Sequence, residues 1–176
     1  MNRGMVGAFV LCVCLGEGIN FAASGVVARI GDSGDSVELS QQIDGHTVVD
    51  TLPVYQAGSV RYFSAGIGIE ERSAEYPPFS LKLVFTAGGK PFLAGVTVTI
   101  RPAKGGPPID IPRDHVNGPW LFVELPSGTY HLAAIHADRT QNLKGVTVEG
   151  GKTKTVHLRW PEERESAVLS GQAIAE

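Results

Sequence analysis

The sequence predicts an all-β protein, an antiparallel β-sandwich of about seven strands with a short helical turn before it. Apolar and polar residues alternate at a period of two through the second half of the chain, which is typical of half-buried strands. Gly (22) and Pro (11) approach a fifth of the 176 residues and fall between the alternating runs. No helix-length periodic segment separates these runs, so parallel βαβ units are not expected.

The first 24 residues have the pattern of a secretory signal peptide. Arg3 precedes an apolar stretch of 11 residues, MVGAFVLCVCL, and Ala22 and Ser24 put small residues at −3 and −1 of a cut after Ser24. The apolar stretch is too short for a permanent membrane span. We therefore expect a periplasmic or secreted protein whose mature form, beginning at Gly25, does not span the membrane.

Removal of this leader changes which chemistry the chain can support. Both cysteines, Cys12 and Cys14, and both methionines, Met1 and Met5, lie in it. The expected mature chain therefore has no disulfide, no thiol nucleophile and no Cys-based metal site, which fits a bacterial periplasm. The formal net charge is −3, with 15 Lys+Arg against 18 Asp+Glu, so nucleic acid is not an expected partner.

Residues 25–78 are expected to form an N-terminal extension with strands and a short helix. Asp44-Gly45 is a turn signal between two apolar runs. The run IGIEERSA (residues 67–74) predicts one or two helical turns, which Pro77-Pro78 would stop. The sequence leaves open whether this segment completes the sandwich or forms a separate element.

Residues 79–160 carry the regular strand pattern, and residues 161–176 are expected to be a flexible tail. Apolar side chains occupy every second position of FSLKLVFT (79–86), and Val96, Val98 and Ile100 alternate with polar residues. A short edge strand is expected before Pro112. Further strands are predicted near residues 120–125, 130–136, 146–148 and 156–160, with turns at Gly88-Gly89, Gly105-Gly106, Pro107-Pro108 and Gly150-Gly151.

Three stretches of this region resemble the carboxypeptidase regulatory-like domain, also called transthyretin-like or prealbumin-like. They are LAGVTVTI (93–100), LPSGTYHL (125–132) and GVTVEGGKTKTVHL (145–158), of which the last is interpreted as a hairpin with a Gly-Gly turn. The resemblance covers residues 79–160 and implies a prealbumin-like or immunoglobulin-like sandwich. The preceding YFSAGIGIEER (62–72) is similar to the lead-in of small exported proteobacterial proteins with this domain. The resemblance implies an envelope role of unknown kind and no peptidase activity.

The most distinctive segment outside the regular strands is residues 60–72, which we interpret as a possible interaction surface. Its glycines have the wrong spacing for a phosphate-binding loop and are not followed by Lys. The acidic pair after them suits the first turn of a helix. The candidate surface residues are Ser64, Gly66, Gly68, Glu70, Glu71, Trp120 and Trp160.

No catalytic, metal or cofactor site is expected from the remaining polar residues. The five histidines show no metal-binding helical spacing, although His131 and His157 are candidates for cross-strand neighbours. Asp110, Arg113, Asp114 and His115 form a polar cluster without a nucleophile. A hydrolase using Asp110, Asp114 or His115 is the least favoured hypothesis.

Two other functions remain open at this point. The first is a non-enzymatic exported protein that acts through protein–protein or cell-envelope contacts. The alternative is a carbohydrate-binding module with a polysaccharide ligand. It requires at least two coplanar exposed aromatic rings, for which Trp120, Tyr130 and Trp160 are the candidates.

Overall fold

Twelve strands, one short α-helix and one 3₁₀ turn make up the residues that the computed structural model describes, 25–88 and 93–161. The predicted signal peptide (1–24), residues 89–91 of a predicted turn and residues 162–176 of the predicted tail lie outside the described residues. The elements are β1 (Val27–Ile30), β2 (Ser36–Ile43), β3 (His46–Pro53), β4 (Tyr55–Ala57), β5 (Val60–Ala65), α1 (Ile69–Ser73), β6 (Leu81–Ala87), β7 (Thr97–Pro102), β8 (Ile109–Ile111), the 3₁₀ turn (Arg113–His115), β9 (Trp120–Val123), β10 (Gly128–His136), β11 (Arg139–Val148) and β12 (Lys154–Trp160).

Two facing sheets form the sandwich, and the predicted all-β, antiparallel sandwich class is confirmed. The larger sheet has five strands in the order β12-β6-β9-β5-β4, and the smaller has the order β11-β10-β7-β8. Alternating side chains of both sheets meet in one apolar core, in which Leu83, Phe85, Ile100 and Leu121 are fully buried. This is the inward face that the period of two predicts.

A third sheet, β1-β2-β3, packs on the outer face of the five-stranded sheet. Val37 and Leu39 of β2 lie in a second apolar cluster with Phe63 of β5 and Phe122 of β9. The rings of Phe63 and Phe122 stack with their centroids 4.7 Å apart and an interplanar angle of 3°. The five-stranded sheet is therefore covered on both faces.

Residues 25–78 contribute to two of the three sheets. The strands β1, β2 and β3 form the third sheet, whereas β4 and β5 join the five-stranded sheet, where β5 pairs with β9. The expected short helix is present as α1 (Ile69–Ser73). The predicted Asp44-Gly45 turn is also present, with φ of 50° and 79° at its two residues, as a tight two-residue hairpin turn requires.

The structure differs from the sequence prediction in the number and pairing of strands. The predicted count of about seven is too low, because the described residues hold nine strands in the sandwich sheets and three more in the third sheet. The interpretation of residues 145–158 as a hairpin is wrong, since β11 pairs with β10 and β12 pairs with β6. His131 and His157 consequently lie in different sheets and are not cross-strand neighbours.

The strand after the Gly150-Gly151 turn crosses to the opposite sheet and runs parallel to β6. Lys154 pairs with Leu81 at the start of both strands, and the Lys154 backbone N–H donates to the Ser80 carbonyl at 2.9 Å. A glycine turn specifies a change of chain direction, but it does not specify which sheet the next strand joins. Leu158 and Trp160 alternate with polar residues, a pattern that indicates a half-buried strand but not the sheet to which the strand belongs.

A close backbone approach ties the loop before β9 to the end of β5. A Cβ atom added at Gly118 would lie 2.3 Å from the Ala65 carbonyl oxygen, so no side chain fits without a shift of the main chain. Gly118→Ala should lower the free energy of unfolding by about 2 kcal/mol or more, measured by urea denaturation. The control is Gly25→Ala, which has nothing within 4 Å of the added atom and should change stability by less than about 0.5 kcal/mol. Equal effects of the two changes would contradict this packing account.

Candidate functional site

The predicted surface residues of 64–71 form an internal brace between β5 and α1. The Ser64 hydroxyl accepts a hydrogen bond from the Gly118 N–H at 2.8 Å. The Glu71 carboxylate accepts bonds from the N–H groups of Gly66 (2.6 Å) and Ile67 (3.2 Å). These polar groups are thus bonded within the fold and hold the turn that leads into α1.

Close packing explains why residue 66 is a glycine. Its φ is +99°, and an added Cβ atom would lie 3.0 Å from the Trp120 ring and 3.1 Å from Pro119. Both the backbone conformation and the available space therefore favour glycine here. Gly68 precedes α1 in extended backbone, and Glu70 lies in the first turn of that five-residue helix, as predicted.

The two tryptophans lie on opposite faces of the five-stranded sheet. Trp120 is half-buried beside Tyr76, and the Lys82 ammonium lies 3.4 Å from its ring centroid in a cation–π contact. Burial lowers the pKa of Lys82. Trp160 is only 2% exposed in the sandwich core, and its indole N–H donates to the Arg139 carbonyl at 3.1 Å. The structure therefore does not bring Trp160 together with Trp120 or residues 64–71.

The aromatic platform that a carbohydrate-binding function requires is not formed by its three candidates. Tyr130 is 6% exposed, and its hydroxyl donates to the Pro126 carbonyl at 2.8 Å. Burial raises the pKa of this phenol. With Trp160 also buried, Trp120 alone of the three is partly exposed, and the Lys82 ammonium lies over its ring. The alternation of Tyr130 and Trp160 with polar neighbours is a core pattern, not a ligand-binding one.

His115 has an aromatic environment that the sequence did not reveal. Its Nδ1 lies 2.8 Å from the Tyr62 hydroxyl, and its ring stacks on Tyr55 with centroids 3.8 Å apart at 7°. Burial, followed by the charges of Tyr55 and Asp114, raises the pKa of Tyr62. A phenol with a raised pKa stays protonated at neutral pH, so Tyr62 serves here as a hydrogen-bond partner of His115.

The remaining members of the polar cluster do not complete a catalytic group with His115. The Asp110 carboxylate accepts a hydrogen bond from the Thr99 hydroxyl at 2.7 Å on the outer face of the smaller sheet. Arg113 and Asp114 are exposed on the 3₁₀ turn. Among the described residues, no three His, Asp or Glu side chains are placed to hold a metal ion.

Two of the concave surfaces formed by the described residues are shallow clefts. One cleft of about 350 Å³ is lined by four prolines, Tyr130 and Asp110, among other residues. Another, of about 410 Å³, lies on the outer face of the smaller sheet near Arg101, His131 and Lys144. Neither contains a polar side chain that is buried and without a partner.

Exposed large apolar side chains occur beside α1, where Ile67 and Ile69 are 61% and 70% exposed, and on the hairpin of β2 and β3, residues 36–53, which we name the ribbon. The end of the ribbon away from its turn is anchored by Val37, Leu39 and Leu52, whereas residues 42–51 around the turn are exposed. Val48 and Val49 are 42% and 48% exposed and point to opposite faces of the ribbon. Val48 lies on the face that carries Val37 and Leu39, as does Ile43, which is 45% exposed. The apolar stripe thus continues beyond the part that the fold covers.

The outer edge of β3 offers unpaired backbone groups. The Val54 N–H donates to the Asp35 carbonyl at 2.8 Å, so even-numbered residues of this stretch face β2 and odd-numbered ones face away. None of the backbone hydrogen bonds between described residues reaches the outward N–H groups of Thr47, Val49 and Thr51. Pro53, which has no N–H, falls on the same outer side, as expected for an edge strand.

The other sheet edges in the described part of the chain are protected in ways that β3 is not. The strands β4 and β8 have three residues each, and β1 is bridged by Glu75. The edge strand β12 carries Lys154 and Arg159, and β11 carries Lys144 beside a bulge. By contrast, residues 46–50 of β3 are in regular register and contain no Lys, Arg or Pro. The sequence signal for this edge was the valine pair after the Asp44-Gly45 turn.

Comparison of the chain with protein-family models, with curated proteins and with solved structures finds no match. Within residues 25–88 and 93–161, no helix has the length and apolarity that a bilayer crossing needs. The candidate surface therefore rests on the geometry of the chain itself.

The Tyr76 phenol should make stability sensitive to alkaline pH. Its hydroxyl donates to the Glu71 carbonyl at 2.8 Å, and burial, together with the Glu71 carboxylate, raises its pKa. The folded state keeps this proton to higher pH than the unfolded state. The stabilisation is therefore complete below the unfolded pKa of about 10 and is lost as the pH rises further.

Urea denaturation of the wild type and of Tyr76→Phe checks this expectation. From about pH 9.5 to 11, the free energy of unfolding should fall more steeply in the wild type, because only it must release the Tyr76 proton. At about pH 8 the wild type should be the more stable, because Tyr76→Phe removes the hydrogen bond to Glu71. Parallel curves for the two proteins would show that Tyr76 does not carry the effect.

Proposed function

We propose that the chain is a non-enzymatic exported protein of the bacterial periplasm that acts through protein–protein or cell-envelope contacts. Its working surface is the ribbon, and above all the outer edge of β3. The observation that carries this proposal is the outer edge of β3, where no backbone hydrogen bond between described residues reaches the N–H groups of Thr47, Val49 and Thr51 and where Val48 and Val49 are exposed on opposite faces. Such an edge offers backbone hydrogen bonds and apolar contacts to an extended strand of another protein.

Export is supported by the leader pattern of residues 1–24, and the type of domain by the resemblance of residues 79–160 to the carboxypeptidase regulatory-like sandwich. The absence of enzymatic activity is part of the proposal. It is supported by the bonded state of the candidate groups, since His115 is held by Tyr62 and Asp110 by Thr99. The carbohydrate-binding alternative is not supported by its candidate rings, because Tyr130 and Trp160 are buried.

Photo-crosslinking in a Gram-negative host tests this function. The full chain is expressed with its own leader and with a photoreactive residue at Val49. The matched control carries the same residue at Arg101, which is exposed on an interior strand of the smaller sheet. We expect adducts of defined mass from position 49 and none from position 101. Equal labelling at both positions, or none at either, would overturn the proposed surface.

The same cells test export. The chain recovered from the periplasmic fraction should begin at Gly25 when its N-terminus is sequenced. Retention of the uncleaved chain in the cytoplasm would contradict the proposed location.

A further inference from the structure

The outer edge of β3 can pair with the same edge of a second copy of the chain. In an antiparallel pair formed through the outer edges, the outward residues of one strand must face the outward residues of the other. A dimer joined in this way has a two-fold axis, so the same residues meet from both copies. Four positions of this axis keep the centre of β3 paired: the axis passes through Thr47, Val48, Val49 or Asp50. Each position defines one register of the two strands.

The charged residues of the ribbon distinguish these four registers. An axis at Asp50 places two carboxylates directly opposite each other, and an axis at Thr47 brings Asp44 beside Asp50 of the second copy. Like charges in these positions are destabilising. An axis at Val49 places Asp50 opposite a valine, which leaves the carboxylate without a polar partner across the strand.

The axis at Val48 avoids like charges and gives the Asp50 carboxylate a polar partner across the strand. It sets Val48 against Val48 of the second copy and, twice, His46 against Asp50. An imidazole opposite a carboxylate is favourable in this arrangement, because the ring N–H donates to the carboxylate. Thr47 meets Val49 on the other face, where a β-branched pair packs well.

We propose that the ribbon binds a second copy of this chain, with β3 paired antiparallel to β3 around an axis at Val48. This inference rests on the proposed function, because it names the partner of the same edge. The pairing joins two three-stranded sheets into one of six strands and brings the exposed Val48 side chains of the two copies together. A strand pair buries less than the roughly 1,200–2,000 Å² of a standard interface, so we expect a reversible dimer.

Disulfide trapping tests the register. In the full chain with Cys12 and Cys14 replaced by Ser, Val48→Cys should form a disulfide-linked dimer under mild oxidation, because the axis places the two Cα atoms about 4.5 Å apart. The matched control is Thr51→Cys, an exposed position on the same strand that this register sets far from its own copy. It should stay largely monomeric. Equal trapping at both positions, or none at position 48, would overturn the proposal.

Light scattering over a range of concentrations tests the pairing without a disulfide. Val49→Pro removes an outward N–H and leaves the bonds to β2 intact, so it should fold as the wild type does but dimerise at least about tenfold more weakly. Val49→Thr keeps the N–H and should dimerise as the wild type does. Association that persists unchanged in folded Val49→Pro would overturn the proposal.

The outcomes separate this inference from the proposed function. A monomeric wild type whose position 49 still gives adducts with other envelope proteins would disprove self-pairing and retain the binding function. A monomeric wild type without such adducts would remove both.

Discussion

The burial of the five-stranded sheet on both faces is the constraint on which the rest of this structure depends. On one face, Leu83 and Phe85 meet the smaller sheet, and on the other, Phe63 and Phe122 stack beneath the third sheet. Beside this sheet, Gly118 lies against Ala65 and Gly66 lies against Trp120. Ser64 and Glu71 are accordingly bonded within the scaffold, whereas Ile67 and Ile69 of the same stretch are exposed.

The exposed ribbon follows from the same constraint. Val37 and Leu39 are needed to cover Phe63, so the start of the β2–β3 hairpin is held against the central sheet. The hairpin is longer than the surface that it covers, and its apolar stripe continues to Val48 in contact with solvent. Edge strands of this kind are usually charged, short or bulged. A long edge with unpaired outward N–H groups beside such a stripe indicates a binding surface in the described part of the chain.

Several elements could be predicted because one face of each strand is buried. The alternation of Val96, Val98 and Ile100 identified β7, and the Asp44-Gly45 pair identified the ribbon turn. The central strand β5 could not be predicted from an alternating pattern. Both Tyr62 and Phe63 are buried, on opposite faces, so a strand that is covered twice loses the period of two. The crossing of β12 to the other sheet and the pairing of Tyr62 with His115 depend on tertiary contacts that no local pattern carries.

Native-state hydrogen exchange tests the central claim, that the five-stranded sheet is the most protected layer and the β3 edge is unpaired in the monomer. In dilute solution, the amides of β6 and β9 should exchange only through global unfolding. The outward amides of Thr47, Val49 and Thr51 should exchange with little protection. Exchange of the β6 and β9 amides through local opening, or strong protection of the three β3 amides in the dilute monomer, would contradict the account.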